Sequence, residues 1–192
     1  MERFVVLLRG VNVGRGNRVA MAALRSLLEQ LGCRHVSTLL NSGNAVFCAP
    51  AQLGARAEAL IGQALMNESG VSVPVIVKSA RQFGSIVSAN PSPAVSDPSR
   101  FLVAFSSRQQ DLEALAALEP LLAPGESLCI TPHAAYLHCT GGILQSKAAA
   151  ALLGKLGRNV TTRNWATVLK IADALSRVPP ATRAGAEGAS DE

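Results

Sequence analysis

Residues 35–48 read HVSTLLNSGNAVFC, so two short runs of strand-forming residues flank the segment Asn41–Asn44. Asparagine and glycine tolerate the positive φ angles of tight turns, and the segment therefore predicts a β-hairpin. Its two strands are expected at residues 35–40 and 45–48. The elements on either side decide which kind of sheet the hairpin joins.

A continuous apolar run at residues 3–9 precedes the hairpin and has the length of a central strand. A glycine-rich loop at residues 10–19 follows, and apolar residues at helical spacing then predict a helix that ends at Gly32. After the hairpin, the pattern predicts a helix over residues 53–65 and a strand over 71–77. The order is βαββαβ, that of a ferredoxin-like half.

The same order can be read a second time along the chain. Strands are predicted at 100–105, 127–130, 135–139 and 159–161, and helices at 112–120 and 146–156. A last helix carries Trp165 and other apolar residues on one face. We therefore predict an α+β fold (an α/β sandwich) of two ferredoxin-like halves with antiparallel sheets plus a C-terminal helix. The halves span 1–79 and 100–177, joined by a helix and a proline-rich connector at 80–99, and the tail at 178–192 is expected to be disordered.

Composition restricts the class of protein without naming a reaction. Hydrophobic residues make up 48% and charged residues 16% of the 192 residues, which is far from a disordered composition. No apolar run reaches the roughly 18 residues of a membrane span, and the N-terminus lacks a secretory pattern. We expect a cytoplasmic protein that does not bind membranes. The net charge of +5 permits an anionic partner, either nucleic acid or a phosphorylated small molecule, and does not choose between them.

Four cysteines, at positions 33, 48, 129 and 139, are widely separated and form no CxxC pair. Structural zinc sites usually show two knuckles of closely spaced ligands, and these positions do not. The sequence therefore predicts buried free thiols, no metal and no cofactor.

The loop Arg9–Arg18 combines three glycines, three arginines and two asparagines just before a helix, which is the chemistry of an oxyanion cradle. It matches neither GxxxxGK[ST] nor GxGxxG, and glycines that only satisfy turn geometry remain an alternative. Right-handed crossovers place this loop and the hairpin turn at the same sheet edge. The candidate ligand-binding residues on that edge are Arg9, Asn12, Arg18, Asn41, Ser42 and Asn44.

In the second half, the segments 140–147 and 161–165 are expected to share an edge by the same rule. Their candidate ligand-binding residues are Ser146, Lys147, Arg163 and Asn164. Structural roles compete with this interpretation, because Ser146 and Asn164 are typical helix N-caps and Lys147 suits a solvated first turn. Arg163 is the residue with the least evident structural role.

The sequence contains no GxSxG, kinase or HExxH motif. Three classes of function stay open. The first is a site for a small phosphorylated or carboxylated ligand, in a hydrolase, a transferase or a binding protein. The second is nucleic-acid binding, which is not favoured because the chain has only five Phe, one Tyr and one Trp and no stacking platform. The third is a structural or protein-interaction module. The catalytic residues and the oligomeric state are left open.

Five ordered motifs carry a family resemblance: residues 7–14, 42–47, 90–91, 146–147 and 162–165. Together they resemble the bacterial family catalogued as domain of unknown function 1697, over residues 3–176. Arg15, Ala45 and Ala166 depart from the family pattern. The resemblance implies a cytosolic protein with duplicated ferredoxin-like halves and implies no activity. The first half is also similar in topology to acylphosphatases, which suggests that this edge suits an anion.

Overall fold

Each half of the chain forms a four-stranded antiparallel sheet. The computed structural model describes residues 1–13, 16–92 and 97–179. The first sheet has the order β2-β3-β1-β4, with β1 (Glu2–Leu8), β2 (Arg34–Leu39), β3 (Asn44–Ala49) and β4 (Val75–Ser79). The second has the order β6-β7-β5-β8, with β5 (Phe101–Phe105), β6 (Ser127–Ile130), β7 (Ala135–His138) and β8 (Thr161–Asn164). The matching orders confirm the predicted α+β fold.

The helices form three layers around the two sheets. They are α1 (Met21–Gln30), α2 (Ala51–Ser69), α3 (Ala80–Ser88), α4 (Gln109–Glu113), α5 (Lys147–Leu153) and α6 (Trp165–Arg177), with 3-10 helices at Pro98–Arg100 and Ala114–Leu121. Helices α1 and α2 cover the outer face of the first sheet, and α4, its 3-10 continuation and α5 cover the outer face of the second. Helices α3 and α6 lie between the sheets. None of these helices is long and apolar enough to cross a bilayer.

The central core joins the two halves. Val5 and Leu7 of β1 face inward while their neighbours face α1 and α2, because successive strand residues point to opposite faces. Trp165 packs edge-on against Phe101, with ring centroids 6.0 Å apart, and is 6% exposed. This contact confirms Trp165 as a core anchor. Helix α3 therefore sits in a core to which both halves contribute.

Some predicted bounds differ from the structure. The fourth strand begins at Val75 rather than at 71, since Pro74 has no N–H to donate to a strand ladder. The segment predicted as a helix at 112–120 is mainly 3-10, and α5 ends at Leu153. The last strand lies at Thr161–Asn164 and not at 159–161, because these residues pair with β5. Residues 14–15, 93–96 and 180–192, which include Arg15, part of the connector and most of the predicted tail, lie outside the described residues.

The four cysteines are free thiols, and Cys129 alone among them is only half-buried. Burial raises the pKa of Cys33 to about 11, which keeps this thiol protonated at neutral pH. We expect Cys129 to react first with Ellman's reagent in the folded protein at pH 8, and all four thiols to react after denaturation without reductant. Fewer than four reactive thiols in the denatured protein would contradict this assignment.

Candidate functional site

Arg163, in the middle of β8, is buried, with 8% of its surface exposed. Its guanidinium carries five N–H donors, and each has a protein acceptor. The acceptors are Asn44 Oδ1 at 2.5 Å, Thr161 Oγ1 at 2.9 Å, and the carbonyl oxygens of Thr162 at 2.7 Å, Leu8 at 2.8 Å and Ser42 at 2.9 Å. Arg163 therefore ties the last strand of the second half to the loop edge of the first.

Arg163, for which the sequence indicates the least structural role of its segment, has a clear one in the structure. Its acceptors are uncharged, and no carboxylate forms an ion pair with it in the described part of the chain. Burial without a counter-ion lowers its pKa to about 10. The residue thus keeps its positive charge at neutral pH, and neutral carbonyl, amide and hydroxyl oxygens are the groups that stabilise this charge.

Asn12 connects the first loop to the hairpin. Its backbone has a φ of +57°, a left-handed conformation that asparagine tolerates better than most residues. Its amide Nδ2 donates to the carbonyls of Val19 and Asn41, both at 2.7 Å, and its Oδ1 accepts from the Val19 N–H at 3.0 Å. These bonds confirm that the loop and the hairpin lie at one edge.

Asn44 is fully buried at the end of the hairpin turn. Its Nδ2 donates to the Leu39 carbonyl and to Ser42 Oγ, both at 3.0 Å, while its Oδ1 accepts from Arg163. Asn44 and Asn12 therefore use both amide N–H groups within the protein. They shape the edge and have no free amide hydrogen for a ligand.

A cavity of about 390 Å³ opens beside these residues, and we call it the arginine cleft. It lies between the first loop, the hairpin, α5 and β8, and its polar lining includes Arg9, Ser42, Thr162 and Arg163. Among the residues that the structure describes, no acidic side chain lines it. Arg9 Nη1 donates to the carbonyls of Gly157 and Val160, and its Nε and Nη2 have no partner among the described residues. Burial lowers the pKa of Arg9.

The remaining predicted residues lie elsewhere or contribute only their backbone. Arg18 and Asn41 are exposed on the same edge, and Asn41 takes part through its carbonyl. Ser146 caps α5 by accepting from the Ala149 N–H at 3.0 Å, and Lys147 is exposed beside it. Asn164 caps α6 through the Thr167 N–H at 2.9 Å. The cap interpretation is confirmed for Ser146 and Asn164, and neither residue lines the arginine cleft.

Sequence reasoning missed the counterpart of Arg163 in the first half. Val5 pairs with Lys78 and Val103 pairs with Arg163, so the two cations occupy equivalent positions. Lys78 is 8% exposed and donates to the Ser106 carbonyl at 2.6 Å. Leu8 ends β1, the first strand of the first half, and Ser106 directly follows β5, the first strand of the second half. Arg163 donates to the Leu8 carbonyl and Lys78 donates to the Ser106 carbonyl, so each half contributes a buried cation that binds the end of the other half's first strand. The sequence does contain one indication of this buried cation, because Lys78 lies within the mainly apolar segment 75–79.

Comparison with known proteins supports the fold. The family described as "Protein of unknown function (DUF1697)" matches residues 1–136. The solved structure of the conserved bacterial protein SP0830 from Streptococcus pneumoniae is similar with a TM-score of 0.73 and 26% identity, over 91% of this chain and 98% of that chain. A search of curated proteins gave no match. The chain therefore belongs to the DUF1697 family of proteins of unknown function.

Proposed function

We propose that the protein binds a small molecule carrying a phosphate or carboxylate group in the arginine cleft. The observation that carries the proposal is that two guanidinium groups line the cleft and that its lining, over the described parts of the chain, contains no acidic side chain. Arg9 offers Nε and Nη2 as unused donors toward an anion. Bidentate pairing of this kind is the geometry in which arginine binds carboxylates and phosphates most strongly.

Arg163 supports the same site through its charge rather than through free donors. Its five hydrogen bonds go to neutral oxygens, so its positive charge is not cancelled by a carboxylate. Charges interact more strongly where water is partly excluded. Arg18, exposed on the same loop, adds a third positive charge at this edge.

The rest of the lining favours a ligand with a small apolar part. Val11, Leu152 and Val160 contribute apolar surface, and Ser42 and Thr162 contribute hydroxyl groups. A volume of about 390 Å³ lies in the range of small-molecule sites. Asn12 and Asn44 use both of their amide N–H groups within the protein, and Asn41 does not line the cleft. The hydroxyls of Ser42 and Thr162 are therefore the lining groups available to orient water in a hydrolase or transferase.

Replacing Arg9 by Gln removes the charge and the three unused N–H donors of Nε and Nη2 while keeping a polar side chain. A charge-assisted hydrogen bond contributes about 1.5–3 kcal/mol, so we expect roughly ten- to a hundredfold weaker binding of acetyl phosphate, inorganic phosphate or acetate, whichever binds the wild type. Isothermal titration calorimetry measures the change. Arg56→Gln on the exposed face of α2 is the matched control and should leave affinity unchanged.

The proposal fails if none of these anions binds the wild type, or if Arg9→Gln and Arg56→Gln bind with equal affinity. The melting temperature of each variant is measured alongside, since Arg9 also bonds the carbonyls of Gly157 and Val160. Absence of any anion binding would favour the interaction-module alternative.

A further inference from the structure

A second and larger cavity, of about 720 Å³, occupies the equivalent place at the other seam between the halves. It lies against α2, β4, the first turn of α3 and the residue that follows Ser106, and we call it the lysine cleft. Its charged and hydroxyl lining includes Glu2, Glu58, Lys78, Arg81, Ser107 and His133. Unlike the arginine cleft, it therefore presents both signs of charge.

Lys78 is the most buried of these charged groups. Its Nζ donates to the Ser106 carbonyl at 2.6 Å, and its two other N–H groups have no acceptor among the described residues. The equivalent Arg163 has an acceptor for all five of its N–H groups. Burying an ammonium with unmet donors is costly, so an acceptor oxygen supplied from the cleft would be strongly favoured.

Glu58 supplies the opposite chemistry in the same cleft. Its Oε1 accepts from the Val77 N–H at 2.8 Å and from the Ser107 hydroxyl at 2.5 Å. Its Oε2 has no hydrogen-bond partner within residues 1–13, 16–92 and 97–179. The two bonds to Oε1 fix the half-buried carboxylate in place, so the other oxygen is available to a cationic donor.

Charge balance sets which ligand suits the cleft. Burial lowers the pKa of Lys78 while nearby Glu58 acts in the opposite direction, so the two groups influence each other without forming an ion pair in the described residues. A plain anion is attracted by Lys78 and Arg81 but is repelled by Glu58 and Glu2. A molecule with a carboxylate and an ammonium satisfies both ends.

We propose that the lysine cleft binds a small zwitterion of the amino-acid type, with its carboxylate at Lys78 and Arg81 and its ammonium at Glu58. This site is separate from the anion site of the arginine cleft and does not depend on it. Its ammonium distinguishes the zwitterion from a plain anion. Glu58 Oε2 is held in place to pair that ammonium, whereas the other carboxylate of the lining, on Glu2, is exposed.

The test titrates ω-amino acids of two to six carbons, with acetate and methylammonium as single-charge probes, by isothermal calorimetry. The best ω-amino acid should bind at least about tenfold more tightly than either single-charge probe, because one charged contact is worth that much or more. Glu58→Gln and Lys78→Met should each weaken its binding by at least about tenfold. Lys155→Met, at an exposed position outside both clefts, should leave its affinity unchanged.

Glu58→Gln keeps an amide oxygen that can accept from Val77 and Ser107, so it tests the site even if Lys78→Met fails to fold. Acetate binding as tightly as the amino acid, undiminished affinity in Glu58→Gln, or no binding of any ω-amino acid would each overturn the proposal. Arg9→Gln should bind the zwitterion like the wild type, which separates a failure here from a failure of the arginine cleft.

Discussion

Replacing Arg163 by Met should lower the free energy of unfolding by about 3–5 kcal/mol, because the buried neutral acceptors of its hydrogen bonds lose their donor. Methionine fills a similar length but donates no hydrogen bond. The change leaves Asn44 Oδ1 and the carbonyls of Leu8, Ser42 and Thr162 without this donor. Each unsatisfied buried group costs about 1–3 kcal/mol, and local relaxation recovers part of the sum.

Urea unfolding monitored by Trp165 fluorescence measures the change. Arg163→Lys keeps the charge but has fewer donors and no planar fork, so we expect a smaller loss than for Met. Arg56→Met on exposed α2 should change stability by no more than about 0.5 kcal/mol. A loss below about 1 kcal/mol for Arg163→Met would show that the five bonds do not hold the halves together.

Gly54→Ala and Gly62→Ala, both on α2, should change stability in opposite directions. A Cβ at Gly54 would lie 2.0 Å from Cζ of Phe4, whose ring stacks on Phe47 with centroids 5.7 Å apart. Overpacking of a core costs about 1–3 kcal/mol. A Cβ at Gly62 meets Val75 at an ordinary 3.8 Å, so that variant should gain about 0.5–1 kcal/mol from helix propensity.

Both variants gain the helix propensity of alanine, so the pair differs by the overpacking cost of about 1–3 kcal/mol in the free energy of unfolding, measured in the same urea titration. Phe4→Leu in the Gly54→Ala background removes the obstructing ring atoms and should recover part of the loss. Equal stability of the two alanine variants would mean that α2 does not approach β1 as closely as the structure has it.

The sequence identified the fold because its strongest signals are local. The turn Asn41–Asn44 and the apolar run of β1 specify their elements without help from the rest of the chain. The last strand was misplaced because Thr161–Asn164 is short and polar, and it forms a strand only through pairing with β5. The hydrogen bonds of this strand depend on β5, which is distant in the sequence, so the pattern of residues 159–165 alone does not predict them.

The site was partly predicted for the same reason. Arg9, Asn12 and Asn44 stand in segments whose glycine and asparagine content indicates an unusual backbone. The role of Arg163 depends on the carbonyls of Leu8 and Ser42, more than a hundred residues away. Every residue has a backbone carbonyl, so the sequence does not indicate which of them accept a hydrogen bond from Arg163. Lys78 and Glu58 were missed because each looks like an ordinary strand or helix residue until the second half is placed beside it.

The most direct test of anion binding is a crystal of the protein soaked with tungstate, an oxyanion whose position is found by anomalous scattering. We expect a peak in the arginine cleft within hydrogen-bond distance of Arg9 Nε or Nη2, and its loss in Arg9→Gln crystals. No peak in that cleft, or a peak of equal height in the Arg9→Gln crystals, would contradict the proposed function.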